Sequence, residues 1–227
     1  SRVVFSRELT KIFNDLKKVP YIYFGASAIG YYSNLVDIED EIDEEYFIRN
    51  KISNDSLMSK LCLEWEESNN LLNNSNVFNF RLGVVLDKAA LFVKILRMSS
   101  YLGVNFSFGD PFLPWIYSKE IPLIIEFLIN YVKNNNLVNF KKSVNVVSPN
   151  ILRYSEFLRI LIKKYRKIPL EIVIKLPKGF IKYFLKIFMG KFYEIPYSLL
   201  VSLNIKPKFL LDIGYSFSYN DIEKLEL

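Results

Sequence analysis

Apolar residues recur at helical spacing over residues 3–17, where Val4, Phe5, Leu9, Ile12, Phe13 and Leu16 share the period and Pro20 closes the segment. A short run, Tyr21-Ile22-Tyr23-Phe24, follows and stops at Gly25-Ala26-Ser27. Being apolar on both faces, it predicts a buried parallel strand. The acid-dense stretch from Asp37 to Glu45 reads as a surface loop. Asn54 or Asp55 then caps a helix in which Leu57, Leu61 and Trp65 form one stripe, with Met58 and Cys62 beside it.

After a polar loop, Val77 to Leu86 predicts a second strand. Strand, crossover helix, strand is the repeating unit of an open α/β sheet. Residues 89–102 predict an amphipathic helix, Pro114 to Tyr117 a short strand, and Lys119 to Lys133 a helix with Pro122 in its first turn. Ser143 to Val147 is a third strand, and 154–166 a basic amphipathic helix. Residues 178–189 and 195–203 read as helical. The tail from Pro207 to Tyr219 reads as a short helix ended by Gly214, then an extended piece.

Composition narrows the chemistry. The 227 residues are 51% hydrophobic, enough for a packed core. With no histidine and the single cysteine Cys62, histidine bases, catalytic triads, a four-cysteine zinc site and an internal disulfide are all excluded, so no metal site is expected. One cysteine suits a reducing compartment, and the opening residues lack the apolar core of a signal peptide, so a cytoplasmic, stromal or matrix location is expected rather than secretion. No apolar run approaches the ~20 residues a membrane span needs. The net charge of +6 is uneven: residues 37–67 are acidic and 141–191 basic. A basic half can face nucleic acid, a membrane or a phosphorylated ligand, but lysines scattered through a Lys- and Asn-rich chain read as solvated faces, and no nucleic-acid partner is expected.

The pattern closest to chemistry is Ala26-Ser27-Ala28-Ile29-Gly30-Tyr31-Tyr32 at a strand end. Ligands of open α/β sheets bind beyond the carboxyl ends of the strands, and small residues there let a ligand approach the backbone. Ser27 can bind a substrate hydroxyl or carbonyl while Tyr31 and Tyr32 wall the pocket. The plain alternative is a turn with Ser27 satisfied locally.

Taken in order, Ser27 to Tyr32, Trp65-Glu66, Arg81 to Leu86, Trp115-Ile116, Asn145 to Asn150 and the tail Gly214 to Tyr219 resemble the epimerase-like branch of the extended short-chain dehydrogenase/reductases. The resemblance covers essentially the whole chain. It implies a partial Rossmann-like parallel sheet flanked by helices over residues 1–150, and a small, mainly helical C-terminal domain over 151–227. It implies NADP or NAD as cofactor and a small polar or sugar-nucleotide substrate, with epimerase or reductase chemistry. Ser27 takes the position of the superfamily's active-site serine. Arg81, Leu82, Gly83, Val84 and Val85 are expected beside the nicotinamide, and Arg2 and Ala26 near the cofactor.

Departures from the pattern matter as much. The Gly-rich phosphate loop of this family occurs nowhere in the sequence, so the chain is expected to be a piece of a longer protein. None of the 15 tyrosines has a lysine four residues on, so the family's Tyr-x-x-x-Lys base is absent, and Met58 and Cys62 stand at the matching helix positions. Activity is therefore open, and a non-catalytic NAD(P)-binding or scaffold protein is an alternative. Each site residue has a plainer reading: Val84 and Val85 as core, Arg81 paired with the acidic segment, Trp65 and Trp115 as core anchors, Cys62 as packing. A second alternative, a peripheral membrane or partner-binding module, rests on the lysines and aromatics of residues 175–191.

Overall fold

The computed structural model describes residues 2–33, 35, 38–53, 55–107, 110–165 and 202–227, and, between those last two stretches, 167, 172–175, 177, 179, 183, 186 and 187. Its centre is a three-stranded parallel sheet of β1 (Ile22–Ala28), β3 (Asn76–Leu82) and β8 (Lys141–Val146), in the order β1-β3-β8. Register runs from Ile22 opposite Asn76 to Ala28 opposite Leu82, and from Val77 opposite Lys141 to Leu82 opposite Val146. The first two predicted strands are thus adjacent and parallel. β1 extends four residues past the predicted Phe24, through Gly25-Ala26-Ser27-Ala28, because pairing with β3 outweighs weak local propensity.

The predicted strand 77–86 is two strands. β4 (Val84–Leu86) leaves the central sheet at Gly83 and pairs parallel with β7 (Trp115–Tyr117). A Cβ on Gly83 would lie 2.6 Å from the Pro114 carbonyl oxygen and 2.9 Å from Val147 Cγ1, so close packing of two backbones demands glycine there. The acidic segment is no loop. Ile38–Ile42 forms β2, paired parallel with β11 (Leu203–Ile205) from the far end of the chain, and Glu39–Arg153 and Glu41–Lys206 ion pairs flank it. Charge density hid a strand whose two end residues are isoleucines.

One sheet face carries Ile22, Phe24, Phe78, Phe80, Val144 and Val146 against α5 (Glu120–Asn134), which buries Ile124, Leu128 and Val132 at i, i+4 spacing. α1 (Arg2–Asp15) and α3 (Leu57–Asn70) lie together, and α3 covers the other face. Both helices form where expected, but neither buries its expected stripe. α1 buries Val3, Ser6 and Thr10, leaving Phe5 68% and Ile12 51% exposed, and Leu16, just past its end, is 62% exposed. α3 buries Ser59, Cys62, Glu66, Ser68 and Asn69 while Leu57 and Leu61 are exposed. Its cap is Ser56, whose Oγ accepts from the Ser59 N–H at 3.0 Å, not Asp55; Asn54 lies outside the described residues.

A second core joins Leu86, Trp115, Phe157 and Leu161 through α4 (Leu91–Tyr101) and α6 (Tyr154–Tyr165). The tail folds as read: α7 (Lys208–Asp212) ends before Gly214, and the extended piece is clamped by the buried Glu120. That carboxylate accepts from the Tyr215 hydroxyl and from the Ser218 and Tyr219 N–H groups at 3.1 and 2.6 Å. Of the helix expected over 178–189, only Gly179, Tyr183, Lys186 and Ile187 are described, all helical. The rest of it, most of the basic segment and residues 195–201 lie outside the described residues, and Leu203, read as helical, is in β11.

Candidate functional site

Along each central strand, residues alternate between the α5 face and the α3 face. The α3 face therefore receives Gly25 and Ser27 from β1, Asn79 and Arg81 from β3, and Ser143 and Asn145 from β8. Ser27, Asn79, Arg81 and Asn145 are buried. Polar groups out of water need partners: Asn79 pairs with Asn69 and Asn70, Asn145 with Tyr32, while Ser27 and Arg81 converge on one carboxylate.

Glu66 projects from α3 and accepts four hydrogen bonds. Ser27 Oγ and Arg81 Nε donate to Oε1 at 2.8 and 2.9 Å; Arg81 Nη2 and Ser143 Oγ donate to Oε2 at 2.9 and 2.7 Å. One helix side chain thus fastens three parallel strands. Arg81 Nη1 donates to the Tyr32 hydroxyl at 3.0 Å, and Tyr32 donates to Asn145 Oδ1 at 2.8 Å. The guanidinium also lies 3.5 Å from the Tyr31 ring centroid. Burial pulls the Arg81 pKa down, but Tyr32 and Glu66 outweigh it and the net shift is upward, so the group stays charged. A neighbouring carboxylate, Glu44, accepts from the Asn145 and Phe209 N–H groups at 3.0 and 3.2 Å, and burial raises its pKa.

The expected site residues separate into three groups. Ser27, Arg81, Tyr31 and Tyr32 meet in this buried network; Ser27 is 4% exposed. Tyr31 and Tyr32 pack with Phe47, Ile42 and Leu203, so their rings wall a core rather than an open pocket. Ser27 lies within β1 rather than a turn and donates to Glu66, 39 residues on, and Arg81 pairs with that same acid near the end of the acidic stretch 37–67. Leu82 and Val85 pack toward α5, Val84 toward Trp115, and Gly83 is closed by Pro114 and Val147.

The third group is open. Arg2 and Ala26 are exposed and share a cleft of about 520 Å³ with Phe5, Ser6, Tyr23 and Trp65, beside β1 at the end of the sheet order. The Arg2 guanidinium lies 5.3 Å from the Trp65 ring centroid, and Trp65 Nε1 donates to Ser6 Oγ at 2.9 Å. Trp65 is thus both anchor and wall. Trp115 is core, with Nε1 donating to the Asn150 carbonyl.

Residues able to move a proton are scarce. A Cβ on Gly30, three residues past Ser27, would lie 3.1 Å from Met58 Cε and 3.5 Å from Cys62 Sγ, so these two side chains face the turn that follows β1. Burial, then the Glu66 charge, pushes the Cys62 thiol up to about 11. Burial also raises the Tyr32 hydroxyl well above the ordinary tyrosine value. Neither suits general-base work near neutral pH. Among the described residues, no cluster of three or more His, Cys, Asp or Glu could hold a metal, and no helix is long and apolar enough to cross a membrane.

Glu66, Ser143 and Asn145 were not picked out as site residues. Their signal is present but quiet: period-two polar positions, Asn79-Arg81 and Ser143-Asn145, in strands whose other face is apolar.

No protein-family model matches the chain. It is 22% identical over 227 residues to the epimerase family protein YfhF of Bacillus subtilis, covering 98% of this chain and 67% of that one. Among solved structures, it is similar to the human epimerase family protein SDR39U1 with NADPH, at TM-score 0.73 and 20% identity, covering 98% of this chain and 70% of that one. It is also similar to a nucleoside-diphosphate sugar epimerase from Corynebacterium glutamicum, at TM-score 0.69 and 20% identity, over 98% of this chain and 40% of that one. A dTDP-4-dehydrorhamnose reductase from Bacillus anthracis in complex with NADP matches at TM-score 0.61 and 13% identity, over 95% of this chain and 66% of that one.

Proposed function

We propose, for a chain with the fold of the epimerase-like branch of the extended short-chain dehydrogenase/reductases and a sequence resemblance to it, an NAD(P)-binding, epimerase- or reductase-like function on a small polar substrate of the sugar-nucleotide class. One observation carries the reading: Arg2 and Ala26, both expected near the cofactor, line one open cleft with Tyr23 and Trp65. A cation beside aromatic faces suits a flat ring linked to a phosphate, and exposed Ala26 lets that ring approach the β1 backbone. Arg2, Tyr23, Ala26 and Trp65 would hold the dinucleotide. When bound, the nicotinamide supplies a hydride acceptor or donor. The chain's residues would orient it in that cleft.

Binding without turnover is a second reading, favoured by the Ser27–Glu66 hydrogen bond and the missing base. The peripheral-membrane alternative rests on residues mostly outside those described.

Calorimetric titration of the intact protein with NADPH and NADH tests the proposal. Micromolar binding is expected for at least one, weakened about tenfold or more in Arg2→Glu, since loss of a charge-assisted contact is worth roughly 1.5–3 kcal/mol. Binding to neither nucleotide would remove it. Binding without hydride transfer across a panel of nucleotide sugars would leave the second reading standing.

A further inference from the structure

α4 is not built like the helix packed beside it. α6 buries Phe157, Leu158, Leu161 and Ile162 and turns Arg159, Lys163 and Lys164 outward, an ordinary solvated face. α4 buries Val93, Leu96 and Ser100, yet its outward sector is apolar too. Ile95, Met98, Tyr101 and the cap residue Leu102 are 58%, 63%, 46% and 53% exposed. Ile95, Met98 and Leu102 stand at i, i+3, i+7 and so form one continuous ridge. A helix apolar on both sides is ordinarily enclosed, and an open ridge of this kind marks an interaction surface.

The charges around the ridge are of one sign. Lys94 lies within it, Arg97 on its flank, and Lys167 Nζ is 5.4 Å from the Tyr101 ring centroid. No acidic residue occurs between Asp87 and Asp110, and among the described residues none of these three cations is in an ion pair. The open side of α1 differs: Phe5 and Ile12 stand among Arg7, Glu8, Lys11 and Asp15, charges of both signs. The α4 ridge lines none of the clefts of about 190, 520 and 830 Å³. A partner helix seats its anchors in a groove, and a second copy docked face to face would set each Lys94 near the other. A flat anionic surface with an apolar layer beneath it meets neither obstacle.

We propose that α4 docks the protein on an anionic lipid bilayer. Ile95, Met98 and Leu102 enter the boundary between headgroups and acyl chains, while Lys94, Arg97 and Lys167 reach the phosphates. The attachment is peripheral. The ridge lies outside residues 175–191, and the inference is independent of the dinucleotide reading.

Co-sedimentation of the intact protein with lipid vesicles tests it. Phosphatidylcholine vesicles with about one-third phosphatidylglycerol should pellet the protein, and each cation near such a surface is worth about fivefold. Pure phosphatidylcholine should therefore bind it at least about tenfold more weakly. Raising salt from about 0.1 M to about 1 M, which shortens the Debye length from about 10 Å to about 3 Å, should remove most of that preference. Met98→Ser combined with Leu102→Ser should weaken binding about tenfold or more through lost apolar burial, and Lys94→Gln about fivefold. An unchanged circular dichroism melt shows that these variants fold, and Lys94→Gln keeps the test open should the serine pair not fold. Ile12→Ser, at an exposed apolar position on α1, should bind as wild type does. No pelleting of the wild type, equal pelleting on both vesicle types, wild-type binding in the folded α4 variants, or an equal loss in Ile12→Ser would each overturn the inference. So would a concentration-dependent dimer, seen by analytical sedimentation, that the serine pair abolishes, since the ridge would then belong to a second copy.

Discussion

The two faces of the central sheet are both covered by a helix, yet they are built on opposite principles. Against α5, Phe24, Phe78, Phe80, Val144 and Val146 meet Ile124, Leu128 and Val132, an apolar layer whose members interact without direction. Against α3, Ser27, Arg81 and Ser143 meet Glu66, and Asn79 meets Asn69, through directed hydrogen bonds and an ion pair. An apolar layer degrades gradually as volume is lost. A buried ionic layer fails when one member goes, because the partner left behind cannot be rehydrated.

That contrast can be broken at its strongest point. Glu66→Ala strands Arg81 in the interior and should cost about 3–5 kcal/mol, read as a fall in the urea midpoint. Replacing both partners, Glu66→Leu with Arg81→Met, should restore most of that loss, because no charge is then left alone. If the double replacement is no better than Glu66→Ala, the layer is not held as described.

The opposite face should show graded behaviour. Leu128→Ala should cost about 2–5 kcal/mol, whereas Leu128→Met, which keeps volume, should cost under about 1.5 kcal/mol by the same measurement. Equal losses from the two variants would mean that shape, not burial, dominates there.

The smallest effect is a pH dependence on the polar side. Burial raises the Glu44 pKa above its ordinary 4.5, so the folded state holds the proton more tightly than the unfolded state. Its contribution to stability is full below 4.5 and is lost as pH rises through the folded value. The Glu44→Gln variant, lacking this titration, should gain stability relative to wild type as pH is raised from 4 to 7. Parallel pH profiles of the urea midpoint would refute it.

Most of the architecture was legible from local pattern. β1, β3, β8, α5 and the tail helix α7 appear within a few residues of their predicted places, because period and punctuation are properties of neighbouring residues. What failed was assigning faces. Phe5, Ile12 and Leu16 have the spacing of a buried stripe and point outward, while Ser59, Cys62 and Glu66 point inward. Period tells which residues share a face, not what that face meets.

The same limit governs the site. The chain's own order of residues settled that strands run parallel around a helical crossover, that no histidine chemistry is possible, and that Ser27 lies near a strand end. Only the folded molecule decided that Glu66, 39 residues further along, accepts its hydrogen bond, and that Arg81 is held between that carboxylate and two tyrosine rings. Such partners are brought together by sheet register and helix rotation, and neither quantity is written in any local stretch of sequence.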